Sequence, residues 1–298
     1  MSEREFAVID LETAYQECQQ ITRREARNFY YAFVLLPPAR RRAIYVAYAF
    51  CRYCDDAVDS EASTEEKLVR LGELRQQLEQ CYQGQVSGPV FTGLSQVVRE
   101  YSIPREYFDE VLSGMEADLV KSRYQNFDEL RQYCYQVASA VGLICIHIFG
   151  FKDARAEAHA IDLGLAMQLT NIARDVKEDL AFGRIYLPQD ELARFGCTEE
   201  DLLSGEVNDP FRELMRFHTQ RAREYFHSGF QLLPYLNPRS RACVGVLGRI
   251  YSGLLDRIET ANYDVFSRRV SLSTSEKLAV MAQSWIVSMW PRRLPGPH

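Results

Sequence analysis

Apolar residues recur at three- and four-residue steps along most of this chain, the period of helices that bury one face. The pattern predicts helices over Glu12–Arg27, Pro38–Ser60, Thr64–Gln83, Val90–Tyr101, Arg105–Lys121, Asn126–Phe149, Ala154–Phe182, Pro210–Leu233, Ser240–Tyr263 and Ser273–Met289. The breaks between them hold Leu36-Pro-Pro38, Gly84 to Pro89, Ile103-Pro104, Gly183 to Pro188, Pro234 to Pro238 and Ser267 to Ser275. Strand signals are weak, with no Asn-Gly or Asp-Gly hairpin turn and no sustained alternation. No linker is long or low in complexity, and no repeat of fixed period stands out. The expectation is an all-α protein, one domain over residues 1–298, of about ten helices.

Composition narrows the function. With 298 residues, 47% of them hydrophobic, the chain can bury a large core. A net charge of -6 argues against a general nucleic-acid binder, which needs a basic footprint. An acidic protein can still take an anionic substrate if cations stand between its carboxylates and that substrate. The 8 cysteines and the charged start MSEREFAVIDLE, which lacks a signal-peptide core, point to reduced thiols and a cytoplasmic chain. The longest apolar stretch, Val137 to Phe151, is too short for a bilayer span and contains His147, so no transmembrane anchor is expected. Leu278 to Trp290 is apolar and followed by Arg292 and Arg293. It reads as a final core helix, with peripheral membrane contact as the other reading.

The stretch CRYCDDAVDS, residues 51–60, carries two signals. Asp55 and Asp59 are four apart, on one helical face, with Arg52 and Tyr48 further back and Asp56 flanking. Two nearby carboxylates suit Mg²⁺, which prefers oxygen ligands and bridges to phosphate. A solvated acidic face is the plain alternative, but Ala43, Ile44, Val46, Ala47, Ala49 and Phe50 mark this helix as mostly buried, and buried charges need partners. Cys51 and Cys54 lack the further ligands a zinc site needs and sit within a helix, so they read as packing.

A second acidic run, QLTNIARDVKED, spans residues 168–179. Gln168, Asn171, Asp175 and Asp179 fall within an arc of roughly 80° on a continuous helix. Leu165, Leu169, Ile172 and Val176 form the adjoining apolar stripe, and Arg174 and Lys177 stand ready for phosphate oxygens. The alternative is a buried polar seam between helices. Two such faces in one all-α chain would repel unless cations lie between them, which points to a Mg²⁺–diphosphate site. No G-x-G-x-x-G or G-x-x-x-x-G-K-[ST] nucleotide signature competes.

Taken in order, several motifs resemble those of the squalene/phytoene synthase family, the head-to-head prenyl transferases. They are Asn28-Phe-Tyr-Tyr-Ala-Phe33 with Leu35-Leu-Pro-Pro38, and Tyr48-Ala-Phe-Cys-Arg-Tyr-Cys-Asp-Asp-Ala-Val-Asp59. Tyr133-Cys-Tyr-Gln-Val-Ala-Ser-Ala-Val-Gly142, the run from Gln168 to Asp179, and Gly183-Arg-Ile-Tyr-Leu-Pro188 complete the set. The resemblance covers about Tyr15 to Met289. It implies an isoprenoid-synthase helical bundle around a central cavity, and two prenyl diphosphates joined through a cyclopropylcarbinyl diphosphate. It implies Asp55, Asp59, Asn171, Asp175 and Asp179 as Mg²⁺ ligands, and Arg52, Arg174 and Arg268 on diphosphate. Tyr48, Tyr133 and Tyr251 would line the chemistry. Phe29, Val137, Ala138, Val141, Gly142 and Gln168 would bound the prenyl chains, with Arg184 and Tyr186 on a closing loop. Asn28 stands where the family usually has Ser.

The small residues Ala138, Ala140 and Gly142 leave room for a ligand, or else serve close helix packing. The reading that follows is condensation of two farnesyl diphosphates on a squalene or hopanoid route, with NADPH if squalene is the product. The close alternative is phytoene or dehydrosqualene synthesis, a carotenoid step. A terpene cyclase and a helical assembly factor that kept only the fold are the more distant ones.

Overall fold

The computed structural model describes residues 10–26 and 29–288. Its elements follow the breakers along the chain. Asp10 caps α1 (Leu11–Glu25) by accepting from the Thr13 N–H at 3.0 Å. After α2 (Phe29–Phe33), Pro38 occupies the first turn of α3 (Pro38–Asp59), where its missing N–H costs nothing. A reciprocal Ser63–Glu66 capping box starts α4 (Thr64–Tyr82), and α5 (Gly88–Glu100) and α6 (Arg105–Val120) follow. Asn126 caps α7 (Phe127–Cys134), which runs through one π-helical turn, Tyr135–Ser139, into α8 (Ala140–Phe149).

Then come α9 (Arg155–Arg174), α10 (Val176–Ala181), α11 (Gln189–Phe195) and α12 (Glu199–Ser204). The chain continues with α13 (Asp209–Gly229), a 3₁₀ segment Phe230–Tyr235, α14 (Pro238–Thr260) and α15 (Thr274–Ser288). The described residues hold no strand, only two isolated bridges. The all-α single-bundle expectation therefore holds.

The helices close around a cavity of about 280 Å³ walled by α2, α3, α6, α8, α9 and α14. Outside it the walls interlock through fully buried side chains such as Phe50, Phe108, Leu94 and Leu112. Each of these contributes roughly 1.5–3 kcal/mol by leaving water. The rod Phe127–Phe149 is long and apolar enough to cross a membrane by composition, but half of it is buried and it forms a cavity wall.

Four differences from the sequence reading have physical causes. The predicted helix Ala154–Phe182 is interrupted at Asp175, whose φ/ψ of -100°/17° leave the α region, so the four polar residues do not lie on one straight stripe. The predicted helix Asn126–Phe149 contains the π turn. Two glycines give that wider turn its room: a Cβ on Gly114 would sit 2.6 Å from Val137, and one on Gly164 would sit 2.6 Å from the Ser139 backbone. The short helices α2, α11 and α12 were not expected, because five to seven residues carry too little periodicity. Finally, α15 is a surface helix rather than a core one. It meets α14 through Ser284, opposite Gly245, and leaves Leu278 and Ile286 exposed.

Candidate functional site

The cavity has an apolar depth and a polar end. Along α3 the lining runs Ile44, Ala47, Tyr48, Cys51, Asp55; along α9 it runs Ala160, Leu163, Gly164, Met167, Gln168, Asn171. Both helices thus carry their polar residues to the same end. Val137, Ala138, Val141 and Gly142 line the wall between, as expected. Gly142 also answers to close packing, since a Cβ there would meet the Ala160 carbonyl at 3.2 Å, and Ala140 is fully buried. Phe29 on α2 stands over this wall, its ring 6.4 Å from Tyr48 and 6.3 Å from Tyr251. Asn28 lies outside the described residues.

At the polar end α3 presents Asp55 half-buried and Asp59 exposed. Burial pushes the Asp55 carboxyl up to about 7; Arg52 opposes this and Asp59, Asp56 and Asp118 add to it. Arg52 reaches mainly for the flanking Asp56, Nη2 to Oδ1 at 2.6 Å, and stands 3.7 Å from Asp59 and 3.9 Å from Asp55. Tyr48 is pushed up to about 12 by burial, so its phenol stays neutral. Cys51 faces the cavity and Cys54 is buried behind it; both are free thiols, pushed up by burial, as packing residues would be.

Across the cavity, Asn171 Nδ2 donates to Gln168 Oε1 at 3.2 Å, while Asn171 Oδ1 is buried without a partner. Arg174 grips Asp175 with both Nε and Nη2. A second arginine joins it from the segment after α14: Arg269 Nη2 donates to Asp175 Oδ1 at 2.9 Å and Nε lies 3.6 Å from Glu178. The expected Arg268 is the next residue in the chain and, like Arg269, is exposed. The segment is held by Lys177, which donates to the Phe266 carbonyl at 2.6 Å. Burial pushes Asp179 up to about 7, with Asp175 adding, Arg184 opposing and Asp118 adding. Tyr251 is buried and its phenol is pushed up by burial, with Arg174 opposing.

Asp118, at the end of α6, went unnoticed in the sequence. It lies three residues after Met115 and seven after Val111, both of which line the cavity, so a helical face count was the available signal. Its carboxylate accepts from Tyr186 at 2.8 Å and from Tyr133 at 3.1 Å, and its carbonyl accepts from Arg184 at 3.0 Å. The expected Tyr133, Arg184 and Tyr186 are therefore gathered around one residue, the two phenols on its carboxylate and Arg184 on its carbonyl. Asp118 also enters the field of both aspartate faces.

The donors facing each other are oxygens throughout, the chemistry of a hard cation such as Mg²⁺. The orphaned Asn171 oxygen and two carboxylates held near 7 by burial and like charge are groups that a cation would satisfy. Among the described residues, no three His, Cys, Asp or Glu side chains gather closely enough to hold an ion alone. The set fits a cation shared with substrate phosphate oxygens, the usual manner for Mg²⁺.

Comparison with known proteins identifies the family. The family described as squalene/phytoene synthase matches residues 22–276. The 15-cis-phytoene synthase of Synechocystis sp. is 38% identical over 288 residues, covering 93% of this chain and 86% of that protein. The phytoene synthase of Arthrospira platensis is 38% identical over 278 residues, covering 89% and 90%. A crystal structure of a dehydrosqualene synthase with bound ligand superposes with a TM-score of 0.86 at 28% identity, over 93% of this chain and 97% of the other. The squalene synthase HpnC of Alicyclobacillus acidocaldarius superposes with a TM-score of 0.82 at 28% identity, over 85% and 96%.

Proposed function

We propose, from the premise that the chain belongs to the squalene/phytoene synthase family, that it joins two geranylgeranyl diphosphates head to head into phytoene. The coarser reaction, prenyl transfer between two prenyl diphosphates, is that of the family. The observation that carries the finer reading is the near-full-length similarity to proteins named phytoene synthase. It favours the carotenoid alternative over the farnesyl, squalene or hopanoid route that the motifs first suggested. No relative described above is named as a cyclase or an assembly factor.

In this reading each residue has a physical task. Asp55 and Asp59 on one side, with Asn171, Asp175 and Asp179 on the other, would hold Mg²⁺. When bound, that ion supplies Lewis-acid stabilisation of the departing diphosphate. Arg52, Arg174 and the adjacent Arg268 and Arg269 add positive charge for the same oxygens. Tyr48, Tyr251 and Phe29 present aromatic faces where the polar end meets the apolar depth, which favours a carbocation without offering a strong nucleophile. The wall from Val137 to Phe149 holds the prenyl chains and keeps water from the cation. Phytoene formation releases two diphosphates and two protons, and needs no hydride. Squalene formation replaces one proton loss by hydride delivery, hence NADPH.

A second reading keeps farnesyl diphosphate as substrate, giving dehydrosqualene or squalene. The superposition on dehydrosqualene synthase and HpnC favours it. Incubation of the full chain with Mg²⁺ and each prenyl diphosphate, with and without NADPH, separates the readings by product mass. A C40 hydrocarbon from geranylgeranyl diphosphate without NADPH supports the first. Turnover of farnesyl diphosphate alone supports the second, and no diphosphate release from either overturns both.

A further inference from the structure

Asp118 belongs to neither aspartate run, yet it stands between them. It sits in the last turn of α6, at helical spacing from Val111 and Met115, which line the cavity. Each carboxylate oxygen is engaged by a phenol: Oδ1 by Tyr186 at 2.8 Å and Oδ2 by Tyr133 at 3.1 Å. The two hydroxyls are 3.3 Å apart and the two rings stack at 5.1 Å with an angle of 24°. Tyr124 flanks both rings, at 5.3 and 5.8 Å. Arg184 fastens the same turn through the Asp118 carbonyl at 3.0 Å. A carboxylate accepts and never donates when ionised, so it fixes both hydroxyl rotors in one direction. The phenol lone pairs that remain must then point away from Asp118.

We propose that Asp118 is a positioning residue for the coupling chemistry. It holds Tyr133 and Tyr186 as an oriented pair beside the two aspartate faces, rather than serving as a further cation ligand. The assignment rests on the prenyl-coupling reading above. Both oxygens already accept charge-assisted bonds from phenols, so the carboxylate and the two hydroxyls hold one another in a fixed arrangement. An amide at this position has one acceptor and one donor group, so one of the two phenols would have to change from donor to acceptor and turn its hydroxyl.

The test uses the full chain in four forms: wild type, Asp118→Asn, Tyr133→Phe and the double variant. Steady-state rates are measured with geranylgeranyl and farnesyl diphosphate while Mg²⁺ is varied. Asp118→Asn is expected to lower kcat about 10²-fold, the cost of misplacing a reacting group, with KM within about threefold. The Mg²⁺ concentration for half-maximal rate is expected to move less than about threefold. Tyr133→Phe in the Asp118→Asn background is expected to cost little more, since the two act as a unit. A weakened Mg²⁺ response that accounts for the whole loss, or full additivity of the two changes, would overturn the proposal.

If Asp118→Asn does not fold, Asp118→Glu replaces it with the same expectations for kcat and KM. If wild type turns over neither substrate, the near-ultraviolet circular dichroism of the stacked tyrosines decides. A changed signal in Asp118→Asn at an unchanged melting temperature supports the orienting role, and an unchanged signal overturns it.

Discussion

Asp55 and Asp179 are carboxylates that folding makes harder to ionise, each pushed from 3.8 to about 7 chiefly by burial. A raised folded value means that the folded state binds more protons than the unfolded one between those two pH values. Stability of the metal-free protein should therefore fall as pH rises from about 4 to about 7 and level off beyond. Melting curves at about pH 5 and about pH 7.5 should show the lower midpoint at the higher pH, and an Asp55→Asn, Asp179→Asn variant should flatten the difference. The arginines make a second prediction. Arg269 bonds Asp175 at 2.9 Å, and the neighbouring Arg268 is exposed like it. Arg269→Ala should lower kcat/KM about tenfold or more, as for loss of a charged hydrogen bond, and Arg268→Ala much less. Equal losses, or a larger loss at Arg268, would contradict this ranking. The aspartates and Asn171 were legible because helical spacing puts them on shared faces. Arg269 and Asp118 were not, since adjacent arginines in a loop have no periodicity and Asp118 is one of several acidic residues along α6 with no local partner to mark it.

At the scale of elements, the long helices were readable because their apolar stripes repeat over several turns and their ends carry caps such as Ser63 and Asn126. The π turn at Tyr135–Ser139 was not, for its cause lies on other helices, in the room left by Gly114 and Gly164. Position 164 gives the sharper test, because the obstructing atoms are the Ser139 backbone at 2.6 Å and cannot swing aside. Gly164→Ala should destabilise by about 1–3 kcal/mol through overpacking. Gly72 in α4 has nothing within 4 Å of a built Cβ. Gly72→Ala should instead be neutral or stabilise by up to about 1 kcal/mol through lost chain freedom in the unfolded state. Denaturant unfolding of both variants checks the pair, and equal effects would remove the packing argument for the turn.

For the molecule as a whole, the bundle places an apolar cavity of about 280 Å³ under a rim of opposed oxygen donors and arginines. That juxtaposition of a dry depth and a cation-hungry end makes allylic ionisation and carbon–carbon joining the chemistry it suits. The class of reaction could be inferred from the sequence because its motifs are ordered along the chain. The length of the prenyl chain could not, because it depends on how residues as distant as Phe33, Phe149 and Val244 close the depth together. The most direct test is the product formed from geranylgeranyl diphosphate and Mg²⁺ without NADPH, identified by mass spectrometry. The account predicts a C40 hydrocarbon and two diphosphates released per product. Turnover of farnesyl diphosphate with none of geranylgeranyl diphosphate would contradict it.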